Sequence, residues 1–147
     1  MLEELYQEII LDHYRRPRNK GKVSPADAQA RDNNPLCGDE IEITVRLDGG
    51  KVVEIKFDGH GCSISQSSAS IMTQKLTGKT LEEARELIVD FLGMMRGVKP
   101  FGGREMGELK ALEVVLKFPV RVKCATLAWN TAHKALDGSN PPHSTGS

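Results

Sequence analysis

This chain has almost no charge imbalance: among its 147 residues twenty Lys and Arg offset twenty Asp and Glu, for a formal net charge of +0. A surface so balanced sets up no long-range field toward nucleic acid or an anionic membrane, so neither is expected as a partner. Long apolar runs are missing as well, and Met1-Leu2-Glu3-Glu4-Leu5 has neither the basic nor the apolar part of a secretory signal. The chain therefore reads as cytoplasmic. Internal repeats are absent, and one ordinary domain is expected over residues 1–137, followed at 138–147 by a Gly-, Pro- and Ser-containing tail that reads as disordered. Cysteine is scarce. Three thiols, an odd number in a reducing compartment, argue against a disulfide framework and for metal or thiol chemistry. With 39% hydrophobic residues the chain buries a normal core without such staples.

What is present is a particular set of ligating groups. The thiols stand as Cys37-Gly38-Asp39, Gly61-Cys62-Ser63 and Lys123-Cys124-Ala125, the first followed two positions later by a carboxylate. Three soft sulfurs and one hard oxygen are the inventory of a four-coordinate metal site whose fourth ligand is weak. A site serving only to hold a fold would more often carry a fourth Cys or a His, so the carboxylate points to cargo that must leave. No local knuckle exists: the site has to be assembled by the fold.

Apolar spacing at Leu2, Leu5, Tyr6, Ile9 and Ile10 predicts an amphipathic first helix ended by Pro17. A short edge strand is expected near Gln29 to Asn33. Alternation at Ile41, Ile43, Val45 and Leu47, a turn at Asp48-Gly49-Gly50, and alternation at Val53, Ile55 and Phe57 predict a hairpin with one buried face. If its first strand extends back, Cys37 and Asp39 share a face, with Asp39 at an exposed rim. After Gly59-His60-Gly61-Cys62 a small-residue run predicts a helix capped by Ser63 or Ser65. Thr80-Leu81-Glu82-Glu83 has the form of a capping box, opening a helix with Leu81, Ala84, Leu87, Ile88 and Phe91 inward. Leu109, Leu112 and Leu116 space like a short helix ending at Pro119. Cys124 then opens a last helix facing inward through Leu127, Ala128, Ala132, Ala135 and Leu136.

Cys62 and Cys124 are thereby both expected at helix amino ends, where N–H groups and the macrodipole favour thiolate, with Arg121 and Lys123 adding positive charge beside Cys124. Each thiol alone would be read as a small core residue; three together, flanked by Gly or cations and with Asp39 in register, favour a site. His60 reads more readily as a loop residue than as a ligand or base. His13 reads as packing or interface, and His133 and His143 as surface and tail. Met94, Met95 and Phe101 fit either core or a partner contact. A cysteine-nucleophile hydrolase built from Cys62, His60 and Asp39 ranks last, since no oxyanion motif accompanies it.

Four segments in order carry a family resemblance: Leu5 to Tyr14 with Pro17-Arg18-Asn19, Asn34 to Asp39, Gly59 to Ser65, and Phe118 to Trp129. They resemble the IscU/SufU iron-sulfur cluster assembly proteins (NifU N-terminal-like), closer to the SufU branch, with a surplus at about 93–116. The IscU branch has a Leu-Pro-Pro-Val-Lys chaperone segment and a His before the third Cys; here Phe118-Pro119-Val120-Arg121 and Lys123 stand instead. The resemblance implies an α+β fold, a small antiparallel three-stranded sheet covered by helices with the metal site at one exposed end. It implies that Cys37, Asp39, Cys62 and Cys124 bind zinc or a transient 2Fe-2S cluster, and that Cys37 accepts a persulfide, with His60, Arg121 and Lys123 as auxiliaries. Its partners would be a SufS-like cysteine desulfurase and apo iron-sulfur proteins as acceptors, with room for a weak homo-oligomer. The alternative is a zinc-dependent persulfide sulfurtransferase without a scaffold role.

Overall fold

The computed structural model describes residues 2–35, 38–97 and 107–138. In chain order they form α1 (Leu2–Arg15), β1 (Ala28–Asn34), β2 (Asp39–Asp48), β3 (Lys51–His60), α2 (Ser63–Leu76), α3 (Leu81–Met95), α4 (Leu109–Glu113), a 3-10 turn (Val114–Lys117) and α5 (Pro119–Gly138). This is the expected α+β arrangement, an antiparallel sheet in the order β1-β2-β3 with helices packed on it. No helix among the described residues is long and apolar enough to cross a membrane. Gly138, expected to open the tail, is the last residue of α5, while Cys37, Phe101, His143 and the rest of the expected tail (139–147) lie outside the described residues, as does most of the Gly-rich part of the insert.

Odd-numbered residues of β2 build the floor of the core: Ile41, Ile43 and Val45 are fully buried. Gly49 and Gly50 turn the hairpin with φ of 61° and 78°, the left-handed pair that a tight two-residue turn requires. The return strand departs from simple alternation. Arg46 pairs with Glu54 but Leu47 pairs with Val52, so Val53 is an extra residue bulged out of the ladder. Val52 is therefore the buried one and Val53 is 41% exposed, the reverse of the sequence reading, before Ile55 and Phe57 resume inward alternation.

Helices α2, α3 and α5 supply the other half of the core. Thr80 caps α3 through the expected reciprocal pair with Glu83, and Ala84, Leu87, Ile88 and Phe91 are buried. The Phe91 ring stacks on Trp129 of α5 at 4.0 Å between centroids. Met94 and Met95 are core residues. Helix α2 is unusual in what it buries: Ser65, Gln66, Ser67, Ser68, Ser70 and Thr73 as well as Ile71, Met72 and Leu76. Small hydroxyl side chains let α2 lie close to its neighbours, and directional bonds fix it there. Ser68 Oγ donates to the Ala125 carbonyl at 2.6 Å while accepting from the Trp129 indole at 3.0 Å.

Helix α1 leans on the same hydroxyl face. Leu5 is 55% exposed rather than buried, and the innermost side chain of α1 is His13. Its Nε2 lies 2.8 Å from a Glu108 carboxylate oxygen, which only accepts, so Nε2 carries a proton; Nδ1 lies 2.7 Å from Ser70 Oγ, within hydrogen-bond distance. Ser70 Oγ also accepts the Arg18 N–H at 2.9 Å, so one serine ties α1 and its exit loop to α2. His13 is thus a packing residue, in keeping with its place on the helix.

The last helix begins earlier than its sequence suggests. Pro119 does not merely end the preceding turn; it is the first residue of α5, where a missing N–H removes no helical bond. Cys124 consequently sits in the second turn of a twenty-residue helix and not at its amino end.

Candidate metal centre

Three elements bring the described members of the expected ligand set together. Asp39 opens β2 on the same inward parity as Ile41 and Ile43, Cys62 stands at the start of α2, and Cys124 projects from the second turn of α5. One ligand atom of each lies within 4.8 Å of the others, the separation a single ion would span. Among the described residues this is the one group of three or more metal-ligating side chains.

Asp39 is not at an exposed rim. It is 1% exposed, because an odd position of β2 faces the helices whether or not its side chain is apolar. One carboxylate oxygen, Oδ1, accepts the Cys62 N–H at 2.9 Å. The other, Oδ2, is buried without a hydrogen-bond partner. A carboxylate oxygen held out of water and left unpaired is costly, and a cation beside it removes the cost. Cys62 is half-buried and Cys124 is 1% exposed.

The expected serine cap of α2 is replaced by Cys62 itself. Cys62 is the N-cap residue, with extended backbone, and its sulfur accepts the Ser65 N–H at 3.5 Å. Both glycines of the Gly59-His60-Gly61 run are needed for close approach. A Cβ at Gly59 would stand 2.9 Å from the Glu40 carbonyl carbon, on a backbone with φ of +120°, and one at Gly61 would stand 2.9 Å from the Asp39 carboxylate carbon. Lys20 then clamps the end of β3 to α2, donating to the Gly59 carbonyl at 3.0 Å and to Gln66 Oε1 at 2.9 Å.

The auxiliary residues lie outside the cluster. His60 has a 73% exposed side chain and pairs with Glu40 at 3.4 Å, on the far side of the strand from the ligands. Arg121 and Lys123 are exposed at the start of α5. Arg121 lines an apolar groove with Tyr6, Ile10, Ile64 and Phe118, whereas Lys123 lines a mixed groove with Asn33, Asn34, Leu127 and Asn130. Cys37 belongs to the connection between Asn34, which pairs with Asp39, and Gly38, whose N–H returns to the Asn34 carbonyl at 2.9 Å. Sequence reasoning misses Lys20, Ser65 and Gln66 around Cys62. For the last two, their helical spacing from Cys62 is the available signal.

Comparison with known proteins finds one family profile, the NifU-like N terminal domain, matching residues 5–138. Zinc-dependent sulfurtransferase SufU of Bacillus subtilis is 46% identical over 136 residues, covering 92% of this chain and 91% of that protein. Iron-sulfur cluster assembly scaffold protein IscU of Streptococcus pyogenes is 42% identical over 145 residues, 98% of this chain and 91% of that one. Among solved structures, a candidate iron-sulfur cluster assembly scaffold protein for the SUF system from Fervidobacterium islandicum superimposes with a TM-score of 0.80 at 35% identity, over 91% of this chain and 98% of that one.

Proposed function

The chain belongs to the NifU-like N-terminal domain family, and from that premise we propose that it accepts sulfur from a SufS-like cysteine desulfurase and holds zinc or a nascent 2Fe-2S cluster for delivery to apo-proteins. The observation that carries this reading is the buried, unpaired Oδ2 of Asp39 beside two thiols within 4.8 Å. Asp39, Cys62 and Cys124 would hold the ion, with Cys37 as the fourth ligand; the mixed sulfur and oxygen donor set suits zinc and iron. Zinc, when bound, supplies positive charge that keeps its sulfur ligands as thiolates.

The residues themselves divide the work. Cys62 and Asp39 are locked to each other through the Cys62 N–H, so they act as the fixed wall of the site. Cys37 is the sulfur acceptor: its thiolate attacks the outer sulfur of the partner's persulfide, a new S–S bond forms at Cys37, and the partner's cysteine leaves as thiolate. Arg121 and Lys123 stand at a helix start, where cations gain nothing from the macrodipole, so their charge is available to an incoming anionic sulfur. Phe118 and Val120, 57% and 78% exposed, give the adjoining surface the apolar character of a docking face.

The 46% identity to a zinc-dependent sulfurtransferase favours a second reading, a zinc-holding sulfur carrier with no scaffold role. Metal and sulfide analysis of anaerobically purified protein separates the two. Colourless protein with one zinc per chain supports the carrier, and brown protein with iron and sulfide supports the scaffold. Metal should fall to background in Cys37→Ala, Cys62→Ala and Cys124→Ala; full retention in any one of them removes that residue from the site. Wild type lacking both zinc and cluster refutes the proposal.

A further inference from the structure

The hydroxyl of Ser65 has nothing to bond. Five hydroxyl residues are buried on α2, and four are paired: Ser67 and Thr73 return to carbonyls of their own helix at 2.6 and 2.8 Å, Ser68 donates to Ala125 and Ser70 serves His13. Ser65 is fully buried, yet its Oγ has no partner. Ser65 stands in the first turn of α2, where the carbonyl four residues back belongs to Gly61, outside the helix, so its buried hydroxyl is left with neither a protein acceptor nor water and marks a place kept for something else.

Its position says what that is. Helical side chains lean toward the amino end, so Ser65 lies over the turn that Cys62 opens, and its own N–H already reaches the Cys62 sulfur at 3.5 Å. One turn further along the same face, Ser68 meets the carbonyl of Ala125, the neighbour of Cys124. Ser65 therefore occupies the stretch of α2 that runs between the two thiols. A second donor waits on the same turn: Gln66 gives its oxygen to Lys20, and its amide nitrogen, which only donates, is buried without a partner. Donors gathered at a helix amino end beside thiols suit an anionic sulfur, since hydrogen bonds to ligand sulfur tune how tightly a metal centre is held.

We propose that Ser65 is a positioning residue whose hydroxyl donates to an anionic sulfur of the metal centre, either a metal-bound cysteine thiolate or inorganic sulfide. This rests on the metal-binding reading above. Ser65→Ala gives two effects of opposite sign. Metal-free, the variant melts at or above the wild-type temperature, because it loses only an unpaired hydroxyl. Loaded, it releases zinc to a chromophoric chelator ~10-fold faster or more, the usual size of an outer-sphere ligand effect. Cobalt(II) substituted for zinc gives a sulfur-to-metal charge-transfer band that should shift in Ser65→Ala and stay at the wild-type position in Ser65→Thr, which keeps the hydroxyl. Those results identify a thiolate acceptor. Zinc and cobalt forms that match wild type, with a shortened lifetime of the cluster reconstituted from iron and sulfide, identify sulfide instead. The proposal is overturned by a lower metal-free melting temperature in Ser65→Ala, which would make the hydroxyl structural, or by unchanged zinc release, cobalt band and cluster lifetime. Wild type that holds neither zinc nor cluster overturns the underlying reading first, before any variant is compared.

Discussion

Adding one methyl group at Gly61 tests whether the approach of the Cys62 loop to Asp39 is as tight as the geometry indicates. A Cβ there would stand 2.9 Å from the Asp39 carboxylate carbon and 3.1 Å from its Cβ. The carboxylate has little freedom to retreat, since the residue is 1% exposed and Oδ1 is bonded to the Cys62 N–H at 2.9 Å. Overpacking of this kind costs about 1–3 kcal/mol. In a domain of this size each kcal/mol is worth about 3 °C, so Gly61→Ala should lower the metal-free melting temperature by roughly 3–9 °C. Zinc affinity should drop with it, because the methyl pushes a ligand off its bonded position. The decisive assay is a double-mutant cycle on metal-free protein by calorimetry. In an Asp39→Gly background the methyl has room, so Gly61→Ala should cost little there, and the cycle should return a coupling of about 1–2 kcal/mol. Additivity within about 0.5 kcal/mol would refute the reasoning and show that the loop relaxes away from the carboxylate.

Two further outcomes are expected from features away from the site. Val52→Ala should destabilise by about 2 kcal/mol through two missing buried carbons and the gap they leave, while Val53→Ala stays within about 0.5 kcal/mol; equal effects in urea unfolding would contradict the bulge. Hydrogen bonds from Arg18 and then Arg16 hold the Asp12 carboxyl down to about 2, below its ordinary 3.8. A value depressed by folding contributes stability that is complete above 3.8 and is lost as pH falls toward about 2, so Asp12→Asn should flatten the acid limb of a stability-against-pH curve in that window. An unchanged acid limb would show that the pair exists without stabilising the fold.

Much of this architecture is legible in the amino-acid order, and the misreadings have identifiable causes. Alternation exposes β2 and the turn, and Thr80 with Glu83 marks the start of α3, because these signals are local and each is complete within a few residues. Alternation puts Val53 inward since a period-two rule cannot see one inserted residue; only the partner strand reveals it. Pro119 reads as a terminator because proline serves helix starts and helix ends alike, and the residues after it make the choice. The charge of Asp39 suggests a rim, although its odd position on β2 already assigns it to the buried face. Of the candidate site, Asp39, Cys62 and Cys124 are all legible as potential ligands, and their side chains do converge. The unpaired Ser65 and Gln66 are not, since a missing hydrogen bond is a property of three-dimensional surroundings and leaves no pattern in the chain.

The hydroxyl-lined side of α2 has a further consequence for Cys62. A helix seated on greasy side chains alone can roll about its own axis with little penalty, because dispersion attraction forfeited on one flank is regained on the other. Directional bonds forbid that. Ser68 engages α5 on one flank and Ser70 engages His13 and the Arg18 backbone on the other, so α2 is gripped from two sides like a key in a lock. Successive residues differ by about 100° around a helix, and an error of one such step would swing Cys62 away from Asp39 and Cys124. The serines of α2 therefore set the angular phase of the helix, and with it the direction in which the Cys62 sulfur points.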